Sequence, residues 1–353
     1  MKSQNIGYIL QALLAAVFFG ASAPVSKLLL GDIAPVFLAS FLYLGSGTGI
    51  ALTRLTQRKG TEAGIQRADV KWLAGAILSG GILAPILLMV SLQHTPASTA
   101  SLLLNFEGVG TTVIALFFFR ESISRRAWTA ILLITLASIF LSTDFSSGFG
   151  VSPGALGILL ACVLWGADNN FTRNISGKDP LVIVAWKGLA AGSFSFLLAW
   201  ALGSPFPSAT AILSTMALGF LSYGLSTLLF IRSMRGLGAA RTSALYGTAP
   251  LAGVLLSIVI FGEIPSVLFA AAALLMIGGA LLLVNESHSH THIHTAIIHE
   301  HSHSHRDPMH EHDEAKGIHS HVHEHPVEEH EHDHMPDIHH RHGHEKERRK
   351  NHH

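Results

Sequence analysis

Residues 165–173 read WGADNNFTR and close an apolar segment that begins near Pro153, so an acid and two amides follow a run of hydrocarbon side chains. A weaker copy, FGASAPVSK, occupies residues 19–27 near the start of the chain. When Gly20 is aligned with Gly166, the matched pairs include Ala21 and Ala167, Ser26 and Thr172, and Lys27 and Arg173. The pattern indicates two related halves, with polar residues concentrated in the second copy.

The composition predicts an all-α polytopic membrane protein. The chain is 49% hydrophobic and carries few charged residues before residue 285. Apolar runs of about 20 residues can cross a hydrocarbon core of about 30 Å as helices, whereas long soluble chains alternate apolar and charged residues more often. The single cysteine, Cys162, lies in an apolar run, so the chain has no disulfide framework.

Ten transmembrane helices are predicted, separated by short loops rich in Gly, Pro, Ser and Asp. Their approximate ranges are 7–27, 33–53, 71–92, 96–119, 127–143, 153–173, 181–202, 211–231, 241–261 and 266–284. Basic residues border alternate loops: Arg54, Arg58, Lys59, Arg67, Lys71, Arg120, Arg125, Arg126, Arg173, Lys178, Arg232, Arg235 and Arg241. The positive-inside rule therefore predicts a multi-pass protein of the cell inner membrane with both termini in the cytoplasm.

The two halves are expected to form an inverted repeat, because each contains an odd number of spans. The predicted domains are two five-helix repeats, residues 1–146 and 147–285, followed by a tail at residues 286–353. A second match supports the repeat, since Glu121 follows the fourth span as Glu263 follows the ninth. Inverted repeats are common in secondary transporters, whose binding site lies at the repeat interface near the bilayer midplane.

These features resemble the EamA-type branch of the drug/metabolite transporter superfamily over residues 7–284. Within it, NFEGV at 105–109, ADNNFTRNIS at 167–176 and WKGL at 186–189 resemble a subgroup that includes nickel and cobalt resistance permeases with histidine-rich tails. Many relatives carry a proline after the glutamate of the fourth helix, where this chain has Gly108. The resemblance implies a ten-helix, two-repeat fold and secondary transport.

Polar side chains inside the predicted spans are candidates for a transport pathway. They are Glu107, Asp168, Asn169, Asn170, Lys187 and Asn105. A charge at the centre of a membrane helix costs roughly 2.5–3.5 kcal/mol on insertion scales, so Glu107 is expected to face a cavity or a partner. There it can exchange a proton, ligate a cation or bridge helices as structural glue. Each asparagine can likewise bind substrate or bridge helices.

An ion pair is predicted between Asp168 and Lys187. Asp168 lies about one and a half turns before Arg173, and Lys187 lies about two turns after Pro180. At roughly 1.5 Å per residue, both lie at similar depth in the cytoplasmic half, on consecutive antiparallel spans. Such a pair either opens when substrate enters or permanently fixes the register of the two helices.

The tail is a histidine-rich, low-complexity segment, since every histidine except His94 lies beyond residue 285. The candidate metal ligands are His288, His290, His292, His294, His299, His301, His303, His305, His319, His321, His323, His325, His330, His332 and His334. Neutral imidazoles suit divalent Ni, Co and Zn, and the interleaved acids add oxygen ligands. With few apolar residues to build a core, the tail is expected to be disordered without metal and to hold several exchangeable ions.

The preferred function from sequence is proton-coupled efflux of Ni²⁺ or Co²⁺, with the tail collecting metal at the cytoplasmic entrance. The chain is expected not to be an enzyme, because it lacks a GxxxxGK[ST] nucleotide motif, an HExxH motif and a paired nucleophile and base. No cofactor is required and no nucleic acid is expected to bind. The partners are the lipid bilayer, protons, and a metal ion or small-molecule substrate.

Two alternatives stay open, as does the oligomeric state. In the first, the protein exports amino acids or other small metabolites, and the tail only buffers metal. In the second, which is of a different class, the helices merely anchor a metal-binding or storage tail to the membrane. Ten spans with buried charges exceed what anchoring requires, which favours transport.

Overall fold

The computed structural model describes residues 2–56, 64–119, 125–144, 150–176, 178–237, 242, 245–263 and 266–284, together with four strands of the tail. Helices dominate, and their bounds are α1 Lys2–Gly20, α2 Ser22–Leu29, α3 Pro35–Thr56, α4 Val70–Ala76, α5 Ala84–Leu92, α6 Ala97–Leu103, α7 Phe106–Phe119, α8 Arg125–Ser142, α9 Pro153–Arg173, α10 Pro180–Ala201, α11 Ala209–Gly219, α12 Ser226–Leu237, α13 Ala249–Phe261 and α14 Val267–Val284. A 3₁₀ turn, Arg67–Asp69, precedes α4. Two short strands, β1 Thr143–Asp144 and β2 Gly150–Val151, pair between α8 and α9.

Helices long and apolar enough to cross a membrane account for most of the described residues between 2 and 284. Seven segments meet that description: Ile6–Leu29, Pro35–Thr56, Arg67–Leu92, Ala97–Phe118, Pro153–Arg173, Pro180–Ala201 and Ala209–Ser233. Three shorter apolar helices, Trp128–Ser142, Ala249–Phe261 and Val267–Leu282, lie where the fifth, ninth and tenth spans are predicted. The polytopic membrane class is confirmed, while a complete crossing by these three shorter helices stays a prediction.

Among the described residues, π-helical turns occur at matched places in the two halves. One, Ile77–Leu83, joins α4 to α5 in the third predicted span. The other, Phe220–Leu225, joins α11 to α12 in the eighth. Each contains the pattern Ser-x-Gly, at residues 79–81 and at residues 222–224. Since π-helical turns are rare and often lie at functional sites, their repetition marks this level of the bundle.

The fourth and ninth predicted spans are interrupted at matched places. In the fourth span, the regular helix is interrupted by a turn at Leu104–Asn105, between α6 and α7. This interruption lies just before Gly108. In the ninth span, Gly247–Thr248 form a turn immediately before α13, whose first turn contains Pro250. Proline is well accommodated there, because the first N–H groups of a helix have no intrahelical acceptor.

Contacts between the halves come in reciprocal pairs, the pattern that an inverted repeat produces. α7 packs on α9 as α13 packs on α1, and α5 packs on α9 as α12 packs on α1, while α3 packs on α10 and α8 on α14. Close contacts between helix backbones also occur at matched positions in the two halves. A Cβ added at Gly20 would lie 3.0 Å from Gly253 N, and one added at Gly166 would lie 2.6 Å from Thr111 N. Both glycines therefore allow a helix backbone to approach closely.

Polar contacts between loops define the two ends of the bundle. At one, called here the Arg54 end, Arg54 pairs with Asp179 at 3.3 Å and Lys178 pairs with Asp69 at 3.6 Å. At the other, called here the Lys27 end, α2 ends and α3 begins. An aromatic cluster lies at the Lys27 end, where Phe37 and Phe41 are buried and Phe206 is 67% exposed. The ring centroid of Phe37 lies 5.6 Å from that of Phe196 and 5.7 Å from that of Phe206, and Phe41 joins the same cluster.

Part of the tail pairs as strands, which differs from the disorder predicted for it. β3 His288–His294 is antiparallel to β6 Glu328–His334, and β4 Ile297–Ser304 is antiparallel to β5 Ile318–His325. Histidine alternates with other residues through most of these stretches, and a period of two suits an extended strand. The tail side chains lie outside the described part of the structure, so metal binding by their imidazoles stays a prediction.

Candidate functional site

A cavity of about 250 Å³ lies between the two halves. Its lining residues are Phe19, Tyr43, Ser46, Glu107, Trp165, Asp168, Asn169, Thr172, Ile183, Val184, Lys187, Gly188, Tyr223 and Thr227. Thr172 is the penultimate residue of α9 and Ile183 lies in the first turn of α10, next to the loop that carries Asp179. The cavity is therefore in the part of the bundle that adjoins the Arg54 end.

The predicted ion pair is present in the structure and lines this cavity. Asp168 is only 4% exposed. Its Oδ2 atom accepts a hydrogen bond from Lys187 Nζ, and its Oδ1 atom accepts one from Thr172 Oγ1 at 3.1 Å. The carboxylate is thus paired with one cation and one hydroxyl, which a buried charge needs in order to be tolerated. The pair joins α9 to α10 across the loop that separates them.

Gly80, in the first π-helical turn, creates the space that Asp168 occupies. A Cβ at position 80 would lie 2.0 Å from Asp168 Oδ2 and 2.4 Å from Asp168 Cβ. The Gly80 carbonyl oxygen also accepts two side-chain hydrogen bonds, from Tyr43 Oη at 2.6 Å and from Trp165 Nε1 at 3.0 Å. This one residue therefore links α3, α9 and the third span directly beside the ion pair.

Glu107 is the second carboxylate of the cavity, and it lies in the first turn of α7, just after the interruption of the fourth span. Its Oε1 atom accepts a hydrogen bond from Asn169 Nδ2 at 2.8 Å, and the same amide donates to Thr111 Oγ1 at 3.1 Å. Among the side chains that the structure describes, no lysine, arginine or histidine forms an ion pair with Glu107. The half-buried carboxylate is therefore able to take a proton or an external cation.

Four of the six predicted pathway residues, Glu107, Asp168, Asn169 and Lys187, line the cavity. The remaining two asparagines lie outside it and bond to backbone groups. Asn170 Nδ2 donates to Thr111 O at 3.0 Å and to Gly166 O at 2.8 Å, and Asn105 Nδ2 donates to Leu102 O at 3.2 Å. Asn105 instead borders a separate cavity of about 60 Å³ beside the turn at Gly247–Thr248. Asn170 therefore bridges α9 to α7, whereas Asn105 bonds within its own span at the end of α6.

The aromatic side of the cavity is not predicted from the sequence. The rings of Tyr43 and Tyr223 are stacked with centroids 5.6 Å apart, and Phe19 meets Tyr223 edge-on at 6.1 Å. Trp165 completes this wall and is 7% exposed. Carboxylates and amides stand out against an apolar background, whereas aromatic residues do not. The signal that could have found them is the Ser-x-Gly pattern shared by the third and eighth spans, which includes Tyr223.

Comparisons with known proteins identify the family. The model of the EamA-like transporter family matches residues 6–143 and, a second time, residues 152–285. The chain belongs to this family. It is 28% identical over 295 residues to an uncharacterized transporter from Methanothermobacter thermautotrophicus, with 78% of this chain and 85% of that protein covered. A crystal structure of another protein is similar in fold, with a TM-score of 0.57 and 20% identity over 78% of this chain and 95% of the other.

This EamA-like transporter is therefore a multi-pass membrane protein, as the sequence predicts, while its place among the nickel and cobalt permeases stays a prediction. The two matched segments approach the cavity from opposite sides. Residues 6–143 supply Tyr43 and Glu107, and residues 152–285 supply Asp168 and Lys187. Both halves contribute charged groups to one central cavity, as expected of a binding site at a repeat interface.

Proposed function

We propose that this EamA-like transporter is a proton-coupled secondary exporter in which Glu107 binds a proton and a cationic substrate in alternation. The supporting observation is that Glu107 lines the central cavity with no cationic partner among the described side chains. A carboxylate inside a membrane is costly unless it binds a cation or a proton. Loss of its proton prepares it for substrate, and gain of a proton from outside releases substrate.

We assign the Arg54 end to the cytoplasmic side of a cell inner membrane. Basic residues border this end in both halves, including Arg54, Arg67, Lys71 and Lys178, and the positive-inside rule places such loops in the cytoplasm. The cavity adjoins this end, and the buried rings of Phe37 and Phe41 pack together at the opposite one. The structure then corresponds to a state that takes up substrate from the cytoplasm, and export requires the two repeats, residues 1–146 and 147–285, to rock against each other.

A divalent metal ion, Ni²⁺ or Co²⁺, is the first candidate substrate. Its support is the tail, where histidine alternates with acidic and small residues from His288 onward. Imidazole nitrogens suit these ions, and a tail that begins just beyond Val284 would raise the metal concentration near the cytoplasmic entrance. In the cavity, Glu107 and Asn169 would supply oxygen atoms to a cation.

A small zwitterionic metabolite such as an amino acid is the second candidate, and a specific feature of the cavity favours it. Glu107 suits an ammonium group, and Lys187 suits a carboxylate once it leaves Asp168. The rings of Tyr43 and Tyr223 would pack against the remainder of such a molecule. A volume of about 250 Å³ lies just below the range of drug-sized pockets, about 300–1,000 Å³, and so fits a small molecule.

A metal-sensitive bacterial host separates these functions. It would express the full chain, a truncation after Asn285, or Glu107→Gln, at matched membrane levels and across Ni²⁺, Co²⁺ and Zn²⁺ concentrations. Asp32→Asn is the matched control, since it makes the same carboxylate-to-amide change at an exposed loop residue. Cell-associated metal is measured together with growth, and amino-acid efflux is measured in proteoliposomes.

Metal efflux requires that Glu107→Gln abolish resistance and raise cell-associated metal, that truncation reduce resistance, and that Asp32→Asn resemble the full chain. Metabolite export requires instead that Glu107→Gln abolish amino-acid efflux while truncation leaves that efflux unchanged. Resistance that survives Glu107→Gln and disappears with the tail would mean that metal is sequestered by the tail and not exported. That result would contradict metal efflux, and the amino-acid efflux assay would then separate metabolite export from a storage protein.

A further inference from the structure

The turn between α5 and α6 is held at the Lys27 end by a cation from another span. Lys27, in the last turn of α2, donates hydrogen bonds from Nζ to Leu92 O at 2.9 Å and to Thr95 O. Leu92 is the last residue of α5, so its carbonyl lies at a helix C-terminus, and Thr95 follows in the turn. Carbonyls there lack intrahelical donors and carry partial negative charge, which a lysine ammonium neutralises.

The same turn is held from its other side by a carboxylate. Glu263 follows α13 after Gly262, whose φ of 63° ends that helix in a left-handed conformation. Its Oε1 atom accepts from Ala97 N and its Oε2 atom accepts from Ser98 N, each at 3.0 Å. Ala97 and Ser98 are the first residues of α6, where N–H groups have no partner within the helix. Both oxygens of Glu263 are thus engaged by a neighbouring span.

The two bonds of Glu263 connect the second repeat to the first, and these repeats must separate if the Lys27 end is to open; Lys27 holds the same turn from within the first repeat. Lys27 belongs to the first span and Glu263 follows the ninth, and α2 packs on α13. The turn that they hold joins the third span to the fourth. We propose that Lys27 and Glu263 form a latch that keeps the Lys27 end closed while the cavity adjoins the Arg54 end. The latch rests on the proposed function, because it presumes that the two ends open in alternation.

The sequence carries a second copy of the latch residues. In the alignment of the halves, Lys27 matches Arg173 and Glu263 matches Glu121, so each end of the inverted repeat receives one cation and one carboxylate. Glu121 lies outside the described part of the structure. The sequence therefore supplies a cation and a carboxylate of the same chemistry at the matched positions of the other half.

A cysteine introduced at a buried position near the Lys27 end would report the opening of that end. Ser40 lies in the second turn of α3, is 0% exposed, and donates from Oγ to Gly192 O of α10 at 2.8 Å. Ser40→Cys would be made together with Cys162→Ala, which removes the native thiol. The full-length protein in intact cells is then exposed to a membrane-impermeant maleimide, and the labelling rate is measured without any substrate.

Lys27→Met and Glu263→Gln are each expected to raise the labelling rate about ten-fold, the scale of a lost hydrogen bond to a charged group. Lys27→Arg keeps the charge and the donors and should remain as protected as the parent. Arg54→Met removes a cation from the other end and should not increase labelling. Thermal unfolding in detergent identifies any variant that has lost its fold.

Unchanged labelling in folded Lys27→Met and Glu263→Gln would overturn the latch. So would equal labelling of Lys27→Arg and Lys27→Met, because packing and not charge would then close the end. Because labelling needs no substrate, the test of the latch does not depend on the result of the Glu107→Gln transport test. Normal export by Glu107→Gln would refute the proposed role of Glu107, even if the latch variants label faster.

Discussion

The carboxylate of Asp168 occupies the position that a side chain at residue 80 would fill, since a Cβ on Gly80 would lie 2.0 Å from Asp168 Oδ2. The glycine and the acid come from different halves of the chain. Their contact lies beside the cavity, because Asp168 lines it and pairs there with Lys187. The geometry of the ion pair therefore depends on the absence of a side chain on the third span.

Replacing that glycine is expected to displace the ion pair. Gly80→Ala would push Asp168 away from Lys187 and destabilise the folded protein by about 1–3 kcal/mol, as overpacking commonly does. The export rate is expected to fall by more than the loss of folded protein explains, because the displaced carboxylate enters the cavity. The free energy of unfolding in detergent and the initial export rate in vesicles measure the two effects separately.

Gly278→Ala is the matched control for this change. Nothing lies within 4 Å of a Cβ at Gly278, which is within α14. Alanine is favoured over glycine in a helix by about 1 kcal/mol, so the control should be neutral or slightly stabilising. If both alanine variants transport normally, the close approach of Asp168 to residue 80 is irrelevant to function.

Charge removal distinguishes a pair that opens from one that only fixes helix register. Asp168→Asn or Lys187→Leu alone is expected to destabilise the protein by about 3–5 kcal/mol, because each leaves a buried charge unpaired. The double variant should recover most of that stability. For a pair that opens on substrate entry, export stays lost in the double variant, whereas recovered export in vesicles would assign the pair a structural role alone.

The ion pair could be predicted from sequence because its geometry depends only on distance from the helix ends. Asp168 and Lys187 lie at similar distances from the short loop that contains Asp179, and antiparallel neighbours then bring them to the same depth. Glu107 was identifiable for a related reason, since a lone acid within an apolar run requires a cavity or a partner. The membrane class followed from composition alone.

Other parts of the site depend on packing that sequence periodicity does not encode. Neither π-helical turn is predicted, because the choice of an i→i+5 bond depends on neighbouring helices. Tyr43 and Tyr223 resemble ordinary apolar residues until their stacking is known. Asn170 resembles Asn169 in sequence, yet only Asn169 faces the cavity, since an advance of one residue along a helix turns the side chain by about 100°. Asn105 lies in the turn between α6 and α7 and borders a separate cavity.

Asn169 is expected to position Glu107. Its amide donates to Glu107 Oε1 at 2.8 Å, so Asn169→Ala would leave the carboxylate less ordered while its capacity to bind a proton remains. We expect a weaker apparent affinity for substrate, by about ten-fold, the scale of one hydrogen bond to a charged group. Concentration dependence of export in proteoliposomes measures this, with Asn105→Ala as the control outside the cavity. Equal behaviour of the two variants would argue against the positioning role.

Metal binding by the tail is expected to weaken in acid. An imidazole has an ordinary pKa near 6.5, and protonation below that value removes the lone pair that a metal requires. Calorimetric titration of the purified full chain with Ni²⁺ should therefore show several sites at pH 7.5 and much weaker binding at pH 5.5. The truncation after Asn285 should lose this pH-dependent binding, and strong binding that persists in the truncated protein would place the metal elsewhere.

The π-helical turn in the third span also fixes the rotational phase of everything that follows it. One extra residue in a turn rotates the continuation of a helix by about 100° relative to an unbroken α-helix. Met89 is fully buried and its neighbour Val90 is 42% exposed, so an unbroken α-helix through the same residues, Ile77–Leu83, would turn α5 by about 100° and move part of its buried face toward lipid. The side of the third span that faces Asp168 therefore depends on the number of residues in the π-helical turn as well as on their identity.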